Sequence, residues 1–201
     1  MGREIEVKIP LSKDDFDRLF DSLILCKNSI DGVTVTSASA DLITKRDEYY
    51  SKYSTREERR AAGEPQVIRI RTEEISGKSK SYFTLKFKKK ENGIELNKED
   101  ETFVENPEVL REFFSEAGYQ LFFDKVKKNY SANCESELFP GINFHAELEN
   151  VNDLLYLEVE VVQEEGEADV IKQSLFDFLS QLGLNPENRD IRSWMEILLG
   201  N

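Results

Sequence analysis

Charged and apolar residues alternate with a period of two along much of this chain. Glu4, Glu6 and Lys8 alternate with Ile5 and Val7, Arg69 and Arg71 with Ile68 and Ile70, and Lys86 and Lys88 with Leu85 and Phe87. Successive side chains of a β-strand point to opposite faces, so the pattern predicts strands with one apolar and one charged face. Strands are expected over 4–8, 33–38, 41–53, 66–73, 82–88, 94–104, 119–130, 142–149 and 154–162. Asn92-Gly93 is a hairpin signal, and 76–81 and Pro140-Gly141 read as turns. Helical spacing appears after Ser12, in Phe16, Leu19, Phe20 and Leu23, with Asp14 and Asp15 in the first turn. Asn106-Pro107 opens a second helix that ends near Gly118, and two more span 168–182 and 189–199, split by Gly183 and Asn185-Pro186. The charged stretch 54–64 suits an exposed loop or a short helix. Hairpin-linked antiparallel strands suggest a closed β-barrel with helices outside, an α+β fold, because closure removes exposed edges.

Composition narrows the setting. The 201 residues, 39% of them hydrophobic, fit one domain spanning 1–201, with the helices of 168–199 as part of it. A net charge of -13 argues against a nucleic-acid polymer or an anionic membrane as partner. Cys26 and Cys134 have no metal-type spacing and suit a reducing compartment, so a cytoplasmic protein is expected. No apolar run approaches the roughly 20 residues that span a bilayer.

The charged faces carry the candidate chemistry. Acids come as Glu-x-Glu, with Glu4 and Glu6 at the beginning, Glu147 and Glu149 then Glu158 and Glu160 at the end of the strand sequence, and Glu99 and Glu101 in its middle. Bases cluster between them: Arg69 and Arg71, Lys86 and Lys88, then Lys125, Lys127 and Lys128. One such strand would be an ordinary solvated face, with cross-strand ion pairs worth about 0.2–1 kcal/mol each. Segregation of acids and bases by strand points instead to one enclosed charged surface, which a ligand or metal must neutralise. Paired carboxylates suit hard ions such as Mg²⁺ or Mn²⁺. Converging Arg and Lys suit a polyanion, with Arg gripping phosphate oxygens by its fork. A metal with a basic clamp is the equipment of phosphoryl chemistry.

Glu4-Ile5-Glu6-Val7-Lys8 resembles the Glu-x-Glu-x-Lys signature of the CYTH domain, the triphosphate tunnel metalloenzymes. The supporting motifs follow in that family's order: Arg69-Ile70-Arg71, Thr84-Leu85-Lys86, Glu99-Asp100-Glu101, the lysines at 125–128, Glu147-Leu148-Glu149 and Glu158-Val159-Glu160, with Ser193-Trp194-Met195-Glu196 at the tail. The resemblance implies an eight-stranded antiparallel tunnel with helices packed outside. It implies Glu4 and Glu6 as catalytic groups and, with Glu158 and Glu160, as metal ligands or water-orienting groups. Glu99, Glu101, Glu147 and Glu149 would complete the acidic half. Lys8, Arg69, Arg71, Lys86, Lys88 and some of Lys125, Lys127 and Lys128 would hold phosphates. Three departures stand out: Asn97 where many members have Arg, Tyr130 or no Arg on the sixth strand, and Leu155 where Gly is usual.

The expected function is therefore a metal-dependent triphosphatase acting on tripolyphosphate, thiamine triphosphate or a nucleoside triphosphate such as ATP. A class IV adenylyl cyclase would use the same residues, with the ribose hydroxyl attacking the α-phosphate. A non-catalytic polyphosphate or nucleotide sensor has no use for so many carboxylates. His145, the only histidine, stands beside Glu147 and reads as structural rather than as a general base. The run from Arg56 to Arg60, interleaved with Glu57 and Glu58, reads as a solvated face. Trp194, Phe176 and Phe178 read as packing residues, within the chain or at a homodimer interface.

Overall fold

The computed structural model describes residues 3–63, 66–91, 94–163 and 168–200. Strand β1, Arg3–Pro10, follows the first alternating run. Helix α1, Lys13–Leu19, starts where Ser12 Oγ accepts the Asp15 N–H at 3.1 Å, and a π-helical turn, Phe20–Ile24, extends it. Strand β2 runs unbroken from Val33 to Ser51, where two separate strands were expected. Register shifts at Val35/Ser37, Ser39/Ile43 and Tyr49/Tyr50 carry it through its polar middle. Helix α2, Arg56–Ala61, is short, and strand β3, Gln66–Ile75, follows. The next turn is shorter than expected. Only Ser76 and Gly77 make it, both at positive φ (51° and 76°), and Lys78 already opens strand β4, Lys78–Glu91. Strand β5, Ile94–Val104, pairs antiparallel with β4; the Asn92-Gly93 turn between them lies outside the described residues.

Helix α3, Pro107–Glu116, is capped by Asn106. Strand β6 continues from Gln120 to Ser136, beyond its expected end at Tyr130, because Ala132 and Cys134 keep the buried alternation going. Strands β7, Asn143–Val151, and β8, Leu154–Gln163, complete the sheet, and helix α4, Ala168–Gln181, follows. Helix α5 begins only at Trp194 and ends at Leu199, five residues later in starting than expected from the sequence: Ser193 and Glu196 form a reciprocal capping box there. The residues before it are held otherwise, Asp190 by the Lys8 carbonyl at 2.8 Å and by an ion pair to Arg192.

All eight strands are antiparallel and close into a ring in the order β1-β5-β4-β3-β2-β6-β7-β8. Closure comes from β1, which pairs with β5 on one side and β8 on the other. The apolar faces point outward under the helices. Ile5, Val7 and Ile9 of β1, Phe144 and Leu148 of β7, and Leu157 and Val159 of β8 are buried in one core with Leu19 and Leu23 at the first helix and Leu175, Phe178 and Leu179 of α4. Phe144 and Phe178 stack with centroids 4.2 Å apart. Burying each such side chain stabilises the fold by about 1.5–3 kcal/mol. A second core forms where Phe114 of α3 covers Ile68 and Ile70 of β3. With the outer face committed to the helices, the charged rows face the inside of the ring. Among the described residues no helix is long and apolar enough to cross a membrane.

Candidate active site

The strand pleat brings the charged rows together inside the ring. Among the described residues, a cavity of about 220 Å³ is lined only by ionisable side chains, contributed by β1 through β8. Glu4 and Glu6 enter from β1, Arg69 and Arg71 from β3, Lys86 from β4, Glu99 and Glu101 from β5, Lys127 from β6, Glu147 from β7, and Glu158 and Glu160 from β8. Lys125 lines a smaller adjoining compartment, and Lys8 is buried in register with Glu158. Lys128 is exposed on the outer face, opposite in parity to Lys127, so the sheet does not bring it to this interior. The side chains of Lys88, Arg56 and Arg60 lie outside the described residues.

Ion pairs knit the two signs together. Lys86 Nζ lies 3.8 Å from Glu4 and 3.5 Å from Glu6, and also contacts Glu99. Arg69 reaches Glu99 at 3.2 Å and Glu101 at 3.5 Å, and Thr84 donates to Glu101 at 2.8 Å. Lys127 contacts Glu147 at 3.1 Å and also Glu149. Among the interior residues that the alternation did not mark are Lys45 and Asp47. Lys45 of β2 donates to Glu147 at 2.6 Å. Asp47, fully buried, takes both Nε and Nη2 of Arg71 at 2.6 and 3.0 Å and sits 3.4 Å from Lys125.

The electrostatics divide the carboxylates. Burial would raise Glu99, but Lys86 and Arg69 hold it down at about 2. Burial would likewise raise Asp47, and Arg71 and Lys125 hold it well below the usual range. Glu4, by contrast, is pushed up to about 8 by burial and by Glu99, and burial also raises Glu160. Burial and Glu158 push Glu149 up to about 8. At these carboxylates burial and neighbouring carboxylates outweigh the nearby cations.

Two groups of three meet closely enough to share one ion, with oxygens within 4.8 Å: Glu4, Glu6 and Glu160, and Glu147, Glu149 and Glu158. The second group already holds the Lys127 ammonium. The first lies near Lys86 at longer range, and its all-oxygen donor set fits a hard divalent cation. Glu99 and Glu101 belong to neither group, being turned to Arg69, Lys86 and Thr84. Asn97 and Asn129 are buried on the strands of this interior, and among the described residues their side-chain amides have no hydrogen-bond partner. His145 lines the cavity with Nε2 3.6 Å from Glu147, which raises its pKa, and Nδ1 3.0 Å from Asn133.

The model of the CYTH domain matches residues 2–194. The chain belongs to the CYTH domain family. Solved structures share this fold along almost the whole chain. The PH1819 protein of Pyrococcus horikoshii OT3 superposes with a TM-score of 0.73 at 18% identity, covering 98% of each chain. A candidate adenylate cyclase of Vibrio parahaemolyticus gives 0.66 at 16% identity, over 98% of this chain and 97% of its own. HpAC1 of Hippeastrum, a candidate adenylyl cyclase with a dominant triphosphatase activity, gives 0.62 at 15% identity, over 100% of this chain and 96% of its own. No curated protein matches the chain. The CYTH signature Glu4-x-Glu6-x-Lys8 is thus the strand that closes the ring, and it brings Glu4 and Glu6 against Glu160 of β8.

Proposed function

We propose that this CYTH protein is a metal-dependent triphosphatase, with the domain 1–201 enclosing a triphosphate in a tunnel through the ring. One observation carries the reading: a cavity that is walled, among the described residues, by ionisable groups holds a cluster of Arg and Lys beside a group of three carboxylates close enough to share one cation. A triphosphate gives Arg69, Arg71, Lys86 and Lys127 a polyanion in place of carboxylates, with Arg forks gripping phosphate oxygens. Glu4, Glu6 and Glu160 would then hold Mg²⁺ or Mn²⁺. Bound there, the metal supplies charge neutralisation for the transferring phosphoryl group. The chain's own residues position the phosphates, exclude bulk water and strengthen each charge interaction by burial. Carboxylates of this group are placed to orient a water for attack. The triphosphatase activity of HpAC1 accords with this reading.

The test is an assay of tripolyphosphate, thiamine triphosphate and ATP with Mg²⁺ or Mn²⁺, with the products identified. Phosphate release that stops in excess chelator is the expected outcome. Cyclic AMP from ATP would assign the cyclase reaction instead, and neither turnover nor binding of any of the three would overturn the reading.

A further inference from the structure

Helix α3 carries more apolar surface than the ring covers. Residues four apart on a helix lie one above the other, so its side chains sort into rows along the axis. One row, Leu110 and Phe114, packs on Ile68 and Ile70 of β3. The next row is Val109, Phe113 and the capping Ala117, and it faces outward, with Val109 57% and Phe113 60% exposed. The rings of Phe113 and Phe114 have centroids 6.0 Å apart, one turned to solvent and the other to the strands. A single exposed apolar residue is ordinary, but here two large ones stand one turn apart. With Ala117 they make a ridge about 12 Å long, eight residues at 1.5 Å each.

The row beyond the ridge is acidic. It holds Glu108, Glu112 and Glu116, and Glu105 stands just before the helix; all four are exposed. Among the described residues, only Glu108 of these four is in an ion pair, with Arg111. The ridge is therefore flanked by the packed row on one side and by uncompensated negative charge on the other. That arrangement decides between occupants. A second copy related by a two-fold axis would bring two acidic rows together, on chains that each carry a net charge of -13. An anionic membrane surface is repelled for the same reason. Helices pack by setting the ridge of one into the groove of another, so the complement of this face is a helix with an apolar stripe and Lys or Arg beside it.

We infer that the outer face of α3 is a docking surface for a basic amphipathic helix of a partner protein. Val109 and Phe113 enter the partner's apolar stripe, with the Phe113 ring as anchor, and Glu112 and Glu116 face its Lys or Arg. The surface lies outside the ring, on the wall whose inner side carries Arg69 and Arg71. Docking there does not compete with a triphosphate for those residues, and the inference stands apart from the proposed function.

The probe is a fluorescent synthetic peptide of leucine and lysine, its leucines at helical spacing, titrated with the whole protein and followed by anisotropy. It should bind. Phe113→Ser should weaken it at least about tenfold and Glu112→Lys at least about threefold. Asp14→Lys, the same charge reversal on α1, should leave the affinity within about twofold, and a leucine–glutamate peptide of the same spacing should not bind. Phe113, Glu112 and Asp14 are all exposed, so these variants should keep the fold, which circular dichroism checks. Failure of the leucine–lysine peptide to bind overturns the inference. So does binding that Phe113→Ser leaves unchanged, or that Asp14→Lys weakens as much as Glu112→Lys. Sedimentation tests the other occupants. A dimer of the protein that Phe113→Ser dissociates, or co-sedimentation with phosphatidylserine vesicles that the same change abolishes, would overturn the inference in favour of self-association or a membrane.

Discussion

Replacing Asp47 by Asn removes one negative charge while keeping the side chain's shape. The structure makes this a severe change. Asp47 is fully buried and balances two cations, Arg71 through two hydrogen bonds and Lys125 at 3.4 Å. Removing one partner of a buried ion pair costs about 3–5 kcal/mol, because the remaining charge stays buried and uncompensated. For a domain of this size each kcal/mol moves the melting temperature by about 2–4 °C, so the variant should melt about 6–20 °C lower. The same logic predicts a rescue. A triphosphate restores negative charge beside Arg71 and Lys125, so tripolyphosphate should raise the melting temperature of Asp47→Asn more than that of the wild-type protein. Thermal scans by circular dichroism, with and without the ligand, read both effects. A variant melting within about 2 °C of wild type, or gaining no more than wild type from the ligand, would refute the charge balance described for this interior.

Three further perturbations probe other parts of the account. Glu6→Gln should lower turnover far more than triphosphate affinity and raise the metal concentration needed for activity; steady-state kinetics across a metal titration checks this, and unchanged metal demand contradicts it. Lys127→Ala should weaken tripolyphosphate binding by about one to two orders of magnitude, the loss of a hydrogen bond between charged groups, while Lys128→Ala on the outer face should change it by no more than about twofold; titration calorimetry separates them. Asp190→Asn tests linkage just before α5. Burial would raise Asp190, but the Arg192 side chain and backbone and the Tyr156 hydroxyl hold it down at about 2 from an ordinary 3.8. A depressed aspartate stabilises above its unfolded pKa and loses that stabilisation as pH falls through its folded one. The melting-temperature gap between wild type and variant should therefore be steady at neutral pH and close between about pH 4 and 2; a gap unchanged at pH 2 contradicts the assignment.

The strands of the ring were legible where one face is apolar. Ile5 and Val7 betray Glu4 and Glu6, and Ile68 and Ile70 betray Arg69 and Arg71, because only a packed outer face imposes that alternation. Strand β2 gave no such signal. Thr44, Lys45, Arg46, Asp47 and Glu48 are polar on both faces, since the outward Glu48 is taken by Arg111 of α3 at 2.7 Å and the outward Arg46 by Asp124 at 3.6 Å. Lys45 and Asp47 were hidden for that reason. The pair Lys127 and Lys128 posed a question of parity, which only the pairing of β6 with its neighbours settles. The grouping of Glu4 and Glu6 with Glu160 depends on ring closure between the first and last strands, a contact no local pattern encodes. Glu99 and Glu101 looked the same in sequence as the other Glu-x-Glu pairs, yet register places them against Thr84 and Lys86 of β4.

On the proposed reading, one interior binds a triphosphate and a divalent metal together, each releasing the residues the other needs. Titration calorimetry of tripolyphosphate, with Mg²⁺ and then in chelator, tests it most directly. Binding should be tighter with the metal than without it, and should fall by about one to two orders of magnitude in Arg71→Ala, whose phosphate contact is worth roughly 1.5–3 kcal/mol. Binding of equal strength in chelator, or in Arg71→Ala, would contradict it.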